Sequence, residues 1–142
     1  MIVNRTDISA DAALSIVRNA IDYARANGWE MAAVVCEPKG NVVALWRSDN
    51  AIIPAVEIAT DKAYTAASFR RSTEVFHDVM TSSPSLKAGL ANRPRLMLWA
   101  GGFPIFYEGQ CVGGIGVSGA ADHQDAACAR HAVETAGFTV EA

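Results

Sequence analysis

Clustered basic residues are missing from this sequence. Its 12 lysines and arginines are scattered and outnumbered by 15 aspartates and glutamates, for a formal net charge of -3. Nucleic acids and anionic lipid surfaces recruit proteins through dense positive patches, so neither is an expected partner. Long apolar runs are also absent: nothing approaches the roughly 20 residues that cross a bilayer, and Met1 to Asp7 lacks the basic start and apolar stretch of a signal peptide. No membrane association is expected, and the expected location is cytoplasmic. Cys36, Cys111 and Cys128 are far apart and contain no C-x-x-C, which argues against a disulfide framework or a closed zinc site and for buried free thiols. Histidine is scarce too. His123 and His131 stand two helical turns apart, about 12 Å by rise, too far to share one zinc. Cys128 and His131 are three apart but find no third ligand, so no metal is expected. Gly116-Val117-Ser118-Gly119 lacks the G-x-S-x-G elbow of a serine hydrolase.

Glycine, in contrast, is concentrated. Seven of the eleven glycines fall between Gly101 and Gly119. Gly114, Gly116 and Gly119 spell G-x-G-x-x-G, and Glu134 follows at about the roughly 20-residue spacing of a ribose-binding acid. A dinucleotide site, however, puts that acid at the end of a second parallel strand, whereas Glu134 reads as mid-helix and only Phe138 to Ala142 lie beyond Gly137. Glycine packs no side chain, so such density within a strand points instead to close approach by a ligand or by another backbone.

The length of 142 residues and the 51% hydrophobic content suit one globular domain spanning 1–142. Ala13, Leu14, Val17, Ala20, Ile21 and Ala24 recur at helical spacing between an N-cap at Ser9 and a stop at Gly28. Met31 to Glu37 and Val42 to Arg47 read as strands joined by a Pro38 to Asn41 turn. A helix over 55–70 opens at Pro54, and a weaker one covers 72–80, before a polar loop containing Pro84 and Pro94. Short strands are expected at Leu96 to Ala100, Phe103 to Tyr107 and Gln110 to Val117, then a closing helix at Asp122 to Ala136. The order predicts an α+β fold, with helices on a mainly antiparallel sheet of about five strands.

At about 100° per residue, Ala55, Val56, Ile58, Ala59, Ala63, Ala66, Ala67 and Phe69 share one half of the second helix, and Lys62 falls among them. A lysine there must snorkel, meet a counter-charge, lose its proton or face a ligand cavity or subunit interface. Ser118, Gly119, Asp122 and Asp125 lie where the glycine-rich strand turns into the last helix. Free amides at that helix start could hold an anion; alternatively Asp122 or Ser118 caps the helix and Asp125 favours its dipole. Trp29, Trp46 and Trp99 read as core or interface aromatics.

Four motifs together resemble the GlcG/HbpS-like family, which includes the C-terminal domains of PduO-type proteins. They are Asp61-Lys62-Ala63-Tyr64-Thr65-Ala66, Gly101-Gly102-Phe103-Pro104-Ile105, Gly113 to Gly119, and Gln124-Asp125, in order along nearly the whole chain. The resemblance implies a profilin-like sandwich assembled as a homo-oligomer, often an octamer, with Lys62 and the glycine-rich strand lining a pocket near a subunit boundary. Several members are described as haem-binding or haem-degrading, and others sit in catabolic operons. The sequence departs from the family at Cys36, where relatives carry an aspartate in V-V-D-x-x-G; the carboxylate role is lost or moves to Glu37. The resemblance carries no haem ligand onto His77, His123, His131, Tyr64 or Cys128.

Three functional expectations follow. The first is an oligomeric small-ligand-binding protein taking haem or another flat anionic molecule, without further cofactors. Lys62 and Arg47 would meet its carboxylates, Gly114, Gly116 and Gly119 would allow close approach, and Ser118 would donate hydrogen bonds, with His131 as a further ligand candidate. The second is a catabolic enzyme that hydrolyses, deaminates or isomerises an unsaturated carboxylate, with Lys62 as base or imine-forming amine and Asp125 or Glu37 moving protons. The third is an accessory structural subunit whose glycines let protomers pack closely.

Overall fold

The first helix, α1, begins as its periodicity requires: Ser9 Oγ accepts from Ala12 N at 3.1 Å, and the helix spans Ala10–Ala26 in the computed structural model, which describes residues 1–142. Ala13, Val17, Ala20, Ile21 and Ala24 are buried, joined by Ile16. Leu14 is instead 52% exposed, because it lies about 100° from Ala13, just outside the buried arc.

The chain continues through β1 (Ala32–Cys36), β2 (Val42–Arg47), α2 (Ala55–Phe69), α3 (Thr73–Met80), α4 (Pro84–Leu90), β3 (Gly102–Tyr107), β4 (Gln110–Ser118) and α5 (Asp122–Thr135). The four strands form one antiparallel sheet in the order β2-β1-β4-β3. β1 is buried on both faces, which explains its continuous apolar run. On one face α1 and α5 pack together over a core that includes Ile16, Ile21, Val35, Ile115, Val117 and Val133. On the other, Ala55, Ala59, Ala63 and Ala67 of α2 lie against Ala32, Val34 and Cys36. The α+β class is therefore observed, with helices on both faces of the sheet.

Two expectations are corrected. Leu96 to Ala100 is not a fifth strand. Its backbone is claimed by Thr65, whose Oγ1 donates to Arg95 O and accepts from Met97 N, both at 2.9 Å, so strand pairing begins later, with Val117 N donating to Gly101 O at 2.9 Å. The polar loop around Pro84 contains α4, opened by Ser83 Oγ accepting from Leu86 N at 3.2 Å with Pro84 in the first turn. On α2, Thr65 is buried, while Phe69 at the helix end is 41% exposed and packs on Phe76, ring centres 4.4 Å apart.

The glycines of β4 explain how α2 sits so close to the sheet. A Cβ on Gly116 would overlap Ala59 O at 1.9 Å, and one on Gly114 would lie 2.6 Å from Ala63 O. The close approach is by another backbone, the second of the two readings that glycine density allows.

Candidate functional site

Lys62 finds a counter-charge. Its Nζ donates to Asp125 Oδ2 at 2.9 Å and to Val117 O at 2.8 Å, and the two side chains are 1% and 3% exposed. The second carboxylate oxygen accepts from Ala120 N at 3.0 Å, so the pair ties α2, the end of β4 and the first turn of α5 together. Burial pushes the Asp125 carboxyl above the usual aspartate range, and the Lys62 charge opposes that shift. Gly101 closes the remaining side: a Cβ there would stand 2.9 Å from Lys62 Nζ. The amine thus has no open face toward a substrate within this chain.

The Asp125 and Gln124 side chains take the two amides that precede α5, Ala120 N and Ala121 N. Neither Asp122 nor Ser118 caps α5; Ala121 is the N-cap residue, and Gln124 Oε1 accepts from its N at 3.1 Å. Ser118 is buried beside Ala32 on β1. Gly119, with φ +136°, passes close to the Glu30 carbonyl, where a Cβ would lie 2.5 Å from the oxygen. Gly114, Gly116 and Gly119 therefore contact backbone rather than an open ligand space.

The remaining candidates are dispersed. Arg47 is exposed on the edge strand β2. Glu37 holds the β1–β2 turn, its Oε1 accepting from Lys39 N at 3.0 Å and Asn41 N at 2.8 Å. His131 lies outside on α5, stacked on Tyr23 with ring centres 4.4 Å apart. Lys62 and Asp125 are brought together, while Glu37, Arg47 and His131 are not brought to them. Burial pushes the thiols of Cys36 and Cys128 from 9.0 up to about 12, which leaves both protonated and inert at neutral pH.

A cleft of about 730 Å³ opens elsewhere, between the α2–α3 junction, β3 and α5. Phe103 and Phe106 supply its apolar wall, and Arg70, Arg71, Arg130 and His123 bring cationic and imidazole nitrogens to it. Arg130 is neutralised by Glu134 and Glu141, both at 3.3 Å, and lies over the Phe103 ring at 5.1 Å. Arg70 and Arg71 make no ion pair. The other acids at the cleft are Glu74 and Asp78, the latter 3.2 Å from His77 Nδ1. His123 also lines an adjoining cavity of about 320 Å³ with His77 and Trp99. Sequence reading missed this cleft because its parts come from four separate segments. The available signal was Arg70-Arg71 immediately after the second helix, beside a histidine in the first turn of the last one.

A family model described as haem degrading protein HbpS-like matches residues 8–134. Protein GlcG of Escherichia coli strain K12 is 31% identical over 111 residues, 78% of this chain and 81% of GlcG. Among solved structures, HbpS superposes with a TM-score of 0.86 at 30% identity, covering 94% of this chain and 93% of HbpS. The crystal structure of a PduOC:haem complex superposes with a TM-score of 0.87, covering 96% of this chain and all of PduOC (100%); at 22% identity that likeness shows a shared fold.

Proposed function

The chain belongs to the HbpS-like family, and on that premise we propose that it is a ligand-binding protein that holds haem or another flat anionic molecule in the cleft over Phe103. The observation that carries this reading is the donor set: two guanidiniums without counter-ions, Arg70 and Arg71, stand at an aromatic wall beside His123. A planar conjugated ring suits a partly apolar, aromatic-lined cleft, guanidinium forks match carboxylates in pairs, and a neutral imidazole nitrogen ligates iron. That the related fold of PduOC has been crystallised with haem supports the same ligand class.

In this reading Arg70 and Arg71 would hold the carboxylates, Phe103 and Phe106 would exclude water, and His123 would supply a nitrogen to the iron. Haem bound there would supply its iron chemistry, tuned by the side chain that holds it and by nearby charge. Lys62 and Asp125 act as positioning residues. They fix the start of α5, the helix that carries His123, Ala126 and Ala127 to the cleft. Self-association is part of the proposal as well. Val42, Leu45, Ile52 and Ile53 are exposed on and beside the edge strand β2, an apolar border suited to a second copy.

The test is a haemin titration followed by its Soret band on the wild type, Arg71→Gln and His123→Ala. Saturation at one haem per chain, with a shifted band in His123→Ala and weaker uptake in Arg71→Gln, is the expected result. Unsaturable uptake equal in all three proteins would remove haem from the cleft.

A further inference from the structure

Past Arg70 the cleft opens into a second recess of about 530 Å³, sharing Arg70 and Phe106 with it but lined mainly by polar groups. Arg5, Lys39 and Arg70 bring three positive charges there, against one acid, Asp7. None of the four takes part in an ion pair. Thr6 and Gln110 add neutral hydrogen-bonding groups.

The segments that carry these cations are held in place. The arm carrying Arg5 is pinned by Ile8 N donating to Val112 O at 2.9 Å, with the Ile8 side chain buried. The turn carrying Lys39 is clasped by the Glu37 carboxylate. Arg70 ends α2 in the left-handed conformation, φ 54°, which a residue with a side chain adopts at some strain and which is often found where a group must be aimed. Three like charges gathered around a single acid repel one another, and a bound anion relieves that repulsion.

We propose that this recess is an oxyanion site for a phosphoryl group. Three cations and one acid leave two positive charges, matching a phosphate, which carries about 1.5 to 2 negative charges at pH 7. Two guanidinium forks and a lysine point charge suit its oxygens. The two readings share Arg70 but can be told apart, because Arg5 and Lys39 line the recess alone and Arg71 and Arg130 line the cleft alone.

The experiment is an amide NMR titration of the full chain with inorganic phosphate and, separately, with glycerol phosphate, at ionic strength held constant with chloride. Saturable shifts are expected at Lys39, Arg70 and Gln110. Affinity should fall about tenfold or more in the Arg5→Gln/Lys39→Gln double variant, rise in Asp7→Asn and stay unchanged in Arg71→Gln. Tighter binding of glycerol phosphate would identify a phosphorylated metabolite as the ligand, and equal or tighter binding of inorganic phosphate the free anion. Shifts that do not saturate, or an affinity indifferent to the double variant, would overturn the proposal. Haemin uptake by the double variant should equal that of the wild type, so failure here leaves the haem reading standing, and the reverse.

Discussion

Lys62 and Asp125, 63 residues apart in sequence, meet at 2.9 Å beneath the turn from β4 into α5, with less than a twentieth of either side chain exposed. Buried ion pairs add little stability over apolar replacements, but breaking one strands a charge. Lys62→Met should therefore lower unfolding stability by about 3 to 5 kcal/mol at neutral pH, and Lys62→Met/Asp125→Leu should recover much of the loss. Removing Lys62 takes away the charge and hydrogen bond that oppose burial most strongly, so the folded-state pKa of Asp125 stays raised. A raised carboxyl contributes stability below the unfolded pKa and loses it as pH rises, so Lys62→Met should be weaker at pH 8 than at pH 5. Urea melts of the variants at both pH values measure this.

Gly116→Ala and Gly28→Ala separate packing from conformation. The new methyl at 116 would overlap Ala59 O at 1.9 Å, and moving α2 off the sheet should cost about 3 kcal/mol or more. At Gly28, with φ +72° and open space around it, the cost is that of a left-handed alanine, about 1 kcal/mol. Denaturation midpoints of the two variants should differ accordingly.

The buried thiols set an alkaline limit. Cys36 and Cys128 ionise at about 12 when folded, against an ordinary 9.0. The unfolded chain therefore releases those protons first. Their stabilising contribution is complete below pH 9.0 and is lost as pH rises toward 12, by up to about 1.4 kcal/mol per thiol per pH unit. Cys36→Ala should flatten this decline between pH 9 and 11, and thiol titration of the native protein at pH 7 should leave both residues unmodified.

Thr65 substitutes for a neighbouring strand along residues 95–97. Thr65→Val removes one hydroxyl that serves both Arg95 O and Met97 N. A loss of about 1 to 3 kcal/mol is expected, with faster hydrogen exchange at the Met97 amide than in the wild type.

Arg47 provides the control for the ligand site. It lies on β2, at the opposite edge of the sheet from β3 and its Phe103, three strand spacings or roughly 14 Å across. Arg47→Gln should leave haemin affinity unchanged while Arg71→Gln weakens it, as read from parallel Soret titrations.

Local chemistry was legible in the residue order. The Ser9 cap, the period of α1, the Pro38 to Asn41 turn and the apolar run of β1 depend on neighbours within a few positions, so the α+β class follows from them. Lys62 also stood out, because a cation on an apolar helix face conflicts with its surroundings wherever the chain folds. What resolved the conflict was tertiary. Asp125 reaches Lys62 only when α5 crosses behind β4, and the glycines of β4 admit α2 only once Ala59 and Ala63 present their carbonyls to them. The cleft was decided entirely at that level, since Arg70, Phe103, His123 and Arg130 share no helical or strand period and meet through long-range packing. Periodicity records which face of an element is buried; it holds no information on which distant segments border the same space.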